Sequence, residues 1–151
     1  MEQIKADISQ GSLKGKSEYR DRIDLLRSRV NLLVGKDKVL MKMYLENGNS
    51  FRQMARLAGV NEASIGRRIH RTIRRLINGE YITCLRNRDK FTKTEINIAR
   101  DYFVSGLPIK KIAARRRSNY YQVRQILLKI QRFVTVAEEA EEGQGGKETK
   151  N

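Results

Sequence analysis

The densest chemistry in the sequence lies between Asn61 and Ile77. Arg67, Arg68, His70, Arg71, Arg74 and Arg75 crowd there, interleaved with Ile65, Ile69, Ile73, Leu76 and Ile77 at the spacing of one helical face. A guanidinium group supplies permanent positive charge and a planar fork of donors, which suits phosphate oxygens and the guanine edge. It supplies neither a nucleophile nor a proton shuttle. His70 is the only histidine, and no nucleophile or carboxylate dyad stands beside it in sequence. The expectation is therefore a binding protein, with no enzymatic activity, no cofactor and no metal. Cys84 is the only cysteine, which excludes an intrachain disulfide and argues against a zinc cluster. It reads as an inert thiol.

The totals point the same way. The 151 residues carry a formal net charge of +15, so an anionic partner is expected and nucleic acid is the commonest one. Charge alone does not separate DNA from RNA, and a ribosomal-type basic protein would share it. The length suits one domain or two very small ones. No stretch is apolar enough to span a membrane and no signal-peptide core follows the N-terminus, so the expected compartment is the cytoplasm, on the nucleoid when bound. Tryptophan is absent, Pro108 is the only proline, and Leu, Ile, Arg and Lys abound, which favours an all-α chain.

The elements that must hold the arginines read as follows. Residues 1–16 form a flexible arm. Ser17 caps a helix whose stripe is Tyr19, Ile23, Leu26, Val30 and Leu33, ended by Gly35. Asp37 caps a second helix that buries Val39, Leu40, Met43 and Tyr44, and Asn47-Gly48-Asn49 breaks it. Ser50 caps a short helix, Phe51 to Ala58, with Met54, Ala55 and Ala58 inward. Gly59 and Val60 turn the chain, and Asn61 caps the arginine-rich helix, which stops at Asn78-Gly79. Ala55 at the crossing, Gly59 where positive φ is needed, Val60 as a plug and Ile65 as an anchor together predict a helix-turn-helix unit over 17–79.

A polar connector is expected over 80–90, packing loosely, followed by a second unit over 91–136. Thr92 with Glu95 reads as a capping box. Ile96, Ala99, Tyr102 and Phe103 face inward and Gly106 ends that helix. Pro108 opens the next, Ile109 to Arg116, with Ile112 and Ala113 inside. The last helix shows Val123, Ile126, Leu127, Ile130, Phe133 and Val134 on one face. Ala113 and Val123 repeat the step from Ala55 to Ile65, which predicts an internal duplication. Arg117 stands at the turn-glycine position and Ser118 at the plug, so this second turn is expected to differ or to be looser. Residues 137–151 read as a disordered acidic and glycine-rich tail. The fold class is thus all-α: tandem helix-turn-helix units of three to four helices each.

In such a unit the helix from Asn61 enters the major groove N-terminus first. Glu62, Ala63, Ser64, Gly66, Arg67 and His70 then face the bases, with Arg67 matched to guanine and Glu62 to cytosine. Arg71 and Arg74 lie further along, at phosphates, and Ser50 and Arg52 point at the backbone from the preceding helix. Gly66 costs a helix about 1 kcal/mol relative to alanine. Either the missing side chain allows close approach to the groove or the position is neutral. Arg68 leans back over its own unit, towards an acid such as Glu46. In the second unit the candidate contacts are Lys110, Lys111, Tyr120, Tyr121 and Arg124.

The first unit resembles a known family. Ser50-Phe51-Arg52-Gln53-Met54-Ala55, then Gly59-Val60-Asn61-Glu62, then Arg68-Ile69-His70-Arg71, are similar to the C-terminal helix-turn-helix of bacterial sigma factors. This is region four, which reads the −35 promoter element, and the likeness is greatest to the extracytoplasmic-function type. It covers roughly residues 36–77. The second unit is similar only in outline, through Thr92, Glu95, Ile112 and Ala113, to the sigma and LuxR-type superfamily. The resemblance implies sequence-specific binding of double-stranded DNA in transcription, with RNA polymerase as a further partner. Residues 1–35 are too short for the melting region two, so the expectation is a module detached from it. Two alternatives remain: a DNA-targeting accessory of a recombinase or terminase, and an adaptor that docks on RNA polymerase. The sequence leaves the oligomeric state open.

Overall fold

The structure, a computed structural model, describes residues 13–148. It is all-α, with no strand among the described residues, and no helix there is long and apolar enough to cross a membrane. The chain divides into two compact units, residues 1–77 and 78–151. The arm expected over 1–16 lies outside the described residues as far as residue 12. From Leu13 the chain is helical, so the first helix starts ahead of the Ser17 cap: Gly15 and Ser17 do not stop a helix when Lys14, Lys16 and Glu18 favour it.

The first unit comprises α1 (Leu13–Arg29), a 3₁₀ turn (Val30–Leu32), α2 (Gly35–Leu45), α3 (Phe51–Ala58) and α4 (Glu62–Ile77). Helices α1, α2 and α3 each pack on α4. The core joins Ile23, Leu26, Val30 and Leu33 to Leu40, Met41, Tyr44, Leu45, Met54, Ala55, Ile65, Ile69, Ile73 and Leu76. Each large apolar side chain buried here contributes about 1.5–3 kcal/mol. Helix α2 is rotated by one position from the expected face. Met41 and Leu45 are buried, while Val39 is 59 % exposed. Asp37 does not cap α2 either; that helix starts at Gly35, and Asp37 reaches α4 instead. Ala58 and Val60 are exposed as well, so Val60 does not plug the helix crossing.

The second unit comprises α5 (Glu80–Arg86), a 3₁₀ turn (Arg88–Lys90), α6 (Lys93–Ala99) running into a π-turn (Arg100–Val104), α7 (Ile109–Arg115) and α8 (Tyr120–Glu148). The expected connector over 80–90 is therefore mostly a helix of this unit. Tyr81 and Cys84 are buried in it, and burial pushes the Cys84 thiol up to about 11, in keeping with an inert role. Ile98, Ile112, Ala113, Val123 and Leu127 form the central cluster. Ile98 takes the buried place expected for Ile96, which is half-buried. Helix α8 continues beyond Ala137 to Glu148, through the residues read as a tail, and Glu138 to Gly143 are exposed along it. Residues 149–151 lie outside the described residues.

The two units repeat each other at one constant displacement along the chain. Both 3₁₀ turns fall at matching places. The Asn49 N–H donates to Met43 O (3.1 Å) as the Leu107 N–H donates to Asp101 O (3.0 Å). Gly48 and Gly106 have φ of 65° and 69°. The Val60 N–H donates to Ala55 O (3.1 Å) as the Ser118 N–H donates to Ala113 O (2.9 Å). Asn61 Oδ1 accepts from the Ser64 N–H (2.7 Å) as Asn119 Oδ1 accepts from the Gln122 N–H (2.8 Å). Against the expectation of a different or looser second turn, its backbone has the same bonds and the same left-handed residue. Arg117 adopts φ 51° where Gly59 adopts φ 69°. The hydrogen bonds and the packing around Ala113 hold a non-glycine residue in the left-handed region.

That arrangement has a measurable cost, because a left-handed L-residue is about 1–2 kcal/mol less favourable than its right-handed form. Glycine removes that strain while costing roughly 0.5–1 kcal/mol of chain entropy. Arg117→Gly is expected to raise stability by up to about 1 kcal/mol in chemical denaturation, whereas Gly59→Ala lowers it. Equal destabilisation by both would show that the two turns are not equivalent.

Glu95 gives a second check. Burial alone would push its carboxyl up, but the Thr92 N–H, the Thr92 hydroxyl and Lys129 outweigh it and hold the carboxyl below its ordinary value of 4.5. The capping box bonds are 2.9 and 3.1 Å and the Lys129 Nζ contact is 2.9 Å. With the folded value depressed, the stabilisation is present above the unfolded value and is lost as pH falls through the folded one. The melting-temperature gap between the wild type and Glu95→Gln should therefore be open at neutral pH and close in acid below 4.5.

Candidate nucleic-acid interface

The candidate interface begins with two caps. Ser50 and Gln53 form a reciprocal capping box at α3, with bonds of 3.2 and 2.9 Å. Asn61 caps α4, so its side-chain oxygen is already engaged by a backbone N–H. Gly59 in the left-handed region then sets the angle between the two helices. With Ile65, Ile69, Ile73 and Leu76 buried, α4 turns Glu62, Arg67, His70, Arg71 and Arg74 outward.

Arg67, His70, Arg71 and Arg74 line one cleft of about 640 Å³, together with Ile73 and with Arg22 of α1. Sequence reasoning missed Arg22. It precedes Ile23 on an exposed face of α1, and nothing local distinguishes it from its neighbours. Only the packing of α1 along α4 brings it to the arginines. Between Glu62 and Glu80 the chain has no acidic residue, so beyond Glu62 the charged side chains that α4 turns outward are all basic.

Helix α4 is held from behind. Arg68 Nε donates to Asp37 Oδ1 at 2.8 Å, and Arg75 Nη2 lies 3.5 Å from Asp37 Oδ2. Asp37 thus takes the place expected for Glu46, which is exposed. Arg75 also donates to Thr72 Oγ1 (3.2 Å), whose own hydroxyl donates to Arg68 O (2.8 Å). Arg29 of α1 donates to Leu76 O (2.6 Å) and Ile77 O (3.0 Å). A cation on those unpaired carbonyls satisfies the helix end and complements its dipole. Two of the arginines crowded in the sequence therefore serve the fold, and a third from another helix fixes the end of α4.

Gly66 does not face outward as a groove residue. A Cβ there would lie 3.5 Å from the Phe51 ring, so the position is packed against α3. The same ring meets Tyr44 (centroids 5.5 Å apart) and the edge of His70 (5.9 Å, 84°), making a short aromatic path from the core to the basic face. Ser64 is half-buried and its Oγ accepts from Arg67 Nη2 at 3.3 Å, so it orients that guanidinium. Arg52 is exposed and Ser50 half-buried at the start of α3.

On another side of this unit an apolar groove of about 800 Å³ runs between α2, α3 and the start of α4. Val39, Leu57 and Val60, which line it, are 59 %, 73 % and 49 % exposed, and Lys36 and Arg68 stand among its residues. In the second unit Lys110, Lys111, Tyr120, Tyr121 and Arg124 are all exposed on α7 and α8.

Gly66→Ala separates packing from recognition. The new methyl would sit in ordinary contact with Phe51, and alanine favours a helix by about 1 kcal/mol over glycine. Stability is expected to rise and DNA affinity to stay within about twofold. A loss of affinity without a loss of stability would return Gly66 to the groove-facing side.

No protein-family model, no curated protein and no solved structure matches this chain.

Proposed function

We propose that the first unit binds double-stranded DNA with sequence specificity, placing the N-terminal half of α4 in the major groove. The observation that carries this reading is the cleft in which Arg22 of α1 joins Arg67, His70, Arg71 and Arg74 of a capped helix-turn-helix. Arg22, Arg52, Arg71 and Arg74 neutralise phosphates, and Ser50 and the N–H groups of the first turn of α3 add hydrogen bonds to the backbone. Arg67, held by Ser64, addresses a guanine edge, and Glu62 and His70 flank it. The chain acts as a transcription regulator or sigma-like factor, with no catalytic step of its own, in the cytoplasm and on the nucleoid. The likeness of Ser50-Phe51-Arg52-Gln53-Met54-Ala55 and Arg68-Ile69-His70-Arg71 to sigma region four supports this assignment.

A second reading, a protein-docking adaptor, is favoured by the apolar groove around Val39, Leu57 and Val60. Exposed apolar side chains gathered in one groove are a common mark of a protein interface. RNA polymerase is the partner that the family resemblance suggests, and such docking is compatible with DNA binding on the basic face.

Binding to a random duplex pool, followed by sequencing of the bound fraction, tests the first reading. Arg67→Ala is expected to relax base preference at one or two positions, costing about 1–3 kcal/mol on the best site. Arg74→Ala and Arg22→Ala should weaken all sequences alike. Affinity should also fall steeply with added salt, with a log–log slope of about −0.9 for each phosphate neutralised. Uniform weakening by all three variants, or binding indifferent to salt, would overturn the assignment.

A further inference from the structure

The repeat reaches beyond the skeleton to the exposed end of α8. The position of Arg67 in α4 is taken by Gln125 in α8, that of Gly66 by Arg124, and those of Glu62 and Ala63 by Tyr120 and Tyr121. Tyr120 and Tyr121 are 51 % and 68 % exposed, and Arg124 and Gln125 are exposed beside them. Such exposure of adjacent aromatics on a well-capped helix has no packing explanation within the unit. From Asp101 to Glu138 the chain has no acidic residue. The nearest acids are spent internally: Asp101 takes two bonds from Arg116, at 2.8 and 3.0 Å, and Glu95 holds Lys129 at 2.9 Å.

The units diverge on the opposite surface. Where the first exposes Val39, Leu57 and Val60 and half-buries Met43, the second has Asn97, Arg115, Ser118 and Asp101. Asp101 and Arg116 form an ion pair there, in the place of an apolar side chain of the first unit. What the second unit presents instead is amide, aromatic and basic groups at the start of α8. That mixture suits nucleic acid: a glutamine amide matches the adenine N6/N7 edge, tyrosine hydroxyls reach phosphates, and arginine serves either.

We propose that the second unit is a second duplex-DNA reading head, with Gln125 at the base-reading position and an adenine-containing block as its target. This rests on the first unit's reading as a DNA-binding module. The full target is then bipartite, one block read by Arg67 and one by Gln125, and the linkage of two weak heads on one chain raises the affinity for both blocks together.

The test is selection from a random duplex pool with the full chain, with Gln125→Ala and with Arg67→Ala, each variant first checked for unchanged thermal melting. The expected wild-type result is two enriched blocks. Gln125→Ala should erase information in one block only and lower affinity for the composite site about tenfold, leaving the other intact. Arg67→Ala should do the reverse. A single block that Arg67→Ala erases, while Gln125→Ala and the Tyr120→Ala/Tyr121→Ala double variant leave both motif and affinity unchanged, overturns the second head and leaves the first standing. No enriched block at all overturns both.

Discussion

Helix α3 lies against α4 at Ala55, and the contact is possible because Gly59 can turn the chain with positive φ immediately after it. Everything the first unit exposes follows from that crossing. With Met54 and Ala55 buried on α3, and Ile65 and Ile69 buried on the α4 that packs against it, the rotation of α4 about its axis is fixed, and so is the set of side chains that face away. The energies decide which interactions do this. Burying one isoleucine contributes about 1.5–3 kcal/mol. An exposed ion pair such as Arg68–Asp37 contributes about 0–1 kcal/mol. Apolar burial therefore holds the helices, and the ion pairs adjust how they point.

A chain with a net charge of +15 must keep its basic groups from repelling one another out of the folded state. The acids that matter are few and inside each unit. Asp37 holds Arg68 and Arg75 of α4, Asp101 holds Arg116 at the end of α7, and Glu95 holds Lys129 of α8. Each acid faces the side of a helix turned towards its own unit. Those pairings leave Arg67, Arg71 and Arg74 of α4 and Lys110, Lys111 and Arg124 of the second unit exposed, so the acids that stabilise each unit do not cover these cations.

The repeat shows how much of this design is skeleton and how much is surface. Caps, glycine turns and 3₁₀ turns recur at matching places, down to individual backbone bonds. The surfaces do not recur. One unit leaves an apolar groove where the other closes an ion pair, and one presents arginine where the other presents glutamine. A fold whose backbone bonds are satisfied locally tolerates such divergence, because surface substitutions away from caps and turns change stability by only about 0.5 kcal/mol.

The sequence by itself determined most of the helices, the caps at Ser50, Asn61 and Thr92, and the duplication. Ser50, Asn61 and the Thr92–Glu95 box are interactions between residues a few positions apart, so their pattern is readable without the fold. The stripes of α4 and α8 were equally legible, because burial of one helical face imposes its period on the chain. What only the tertiary structure decided depends on contacts between residues far apart. Asp37, and not Glu46, meets Arg68; Arg22 joins the basic cleft; Gly66 faces Phe51; Val39 and Val60 stay exposed. Arg117 makes the same point about the backbone. Its residue type argues against positive φ, yet the packing of α7 on α8 and the bond from Ser118 to Ala113 place it there. Local preference is worth about 1–2 kcal/mol at such a position, and the burial of a few core side chains outweighs it.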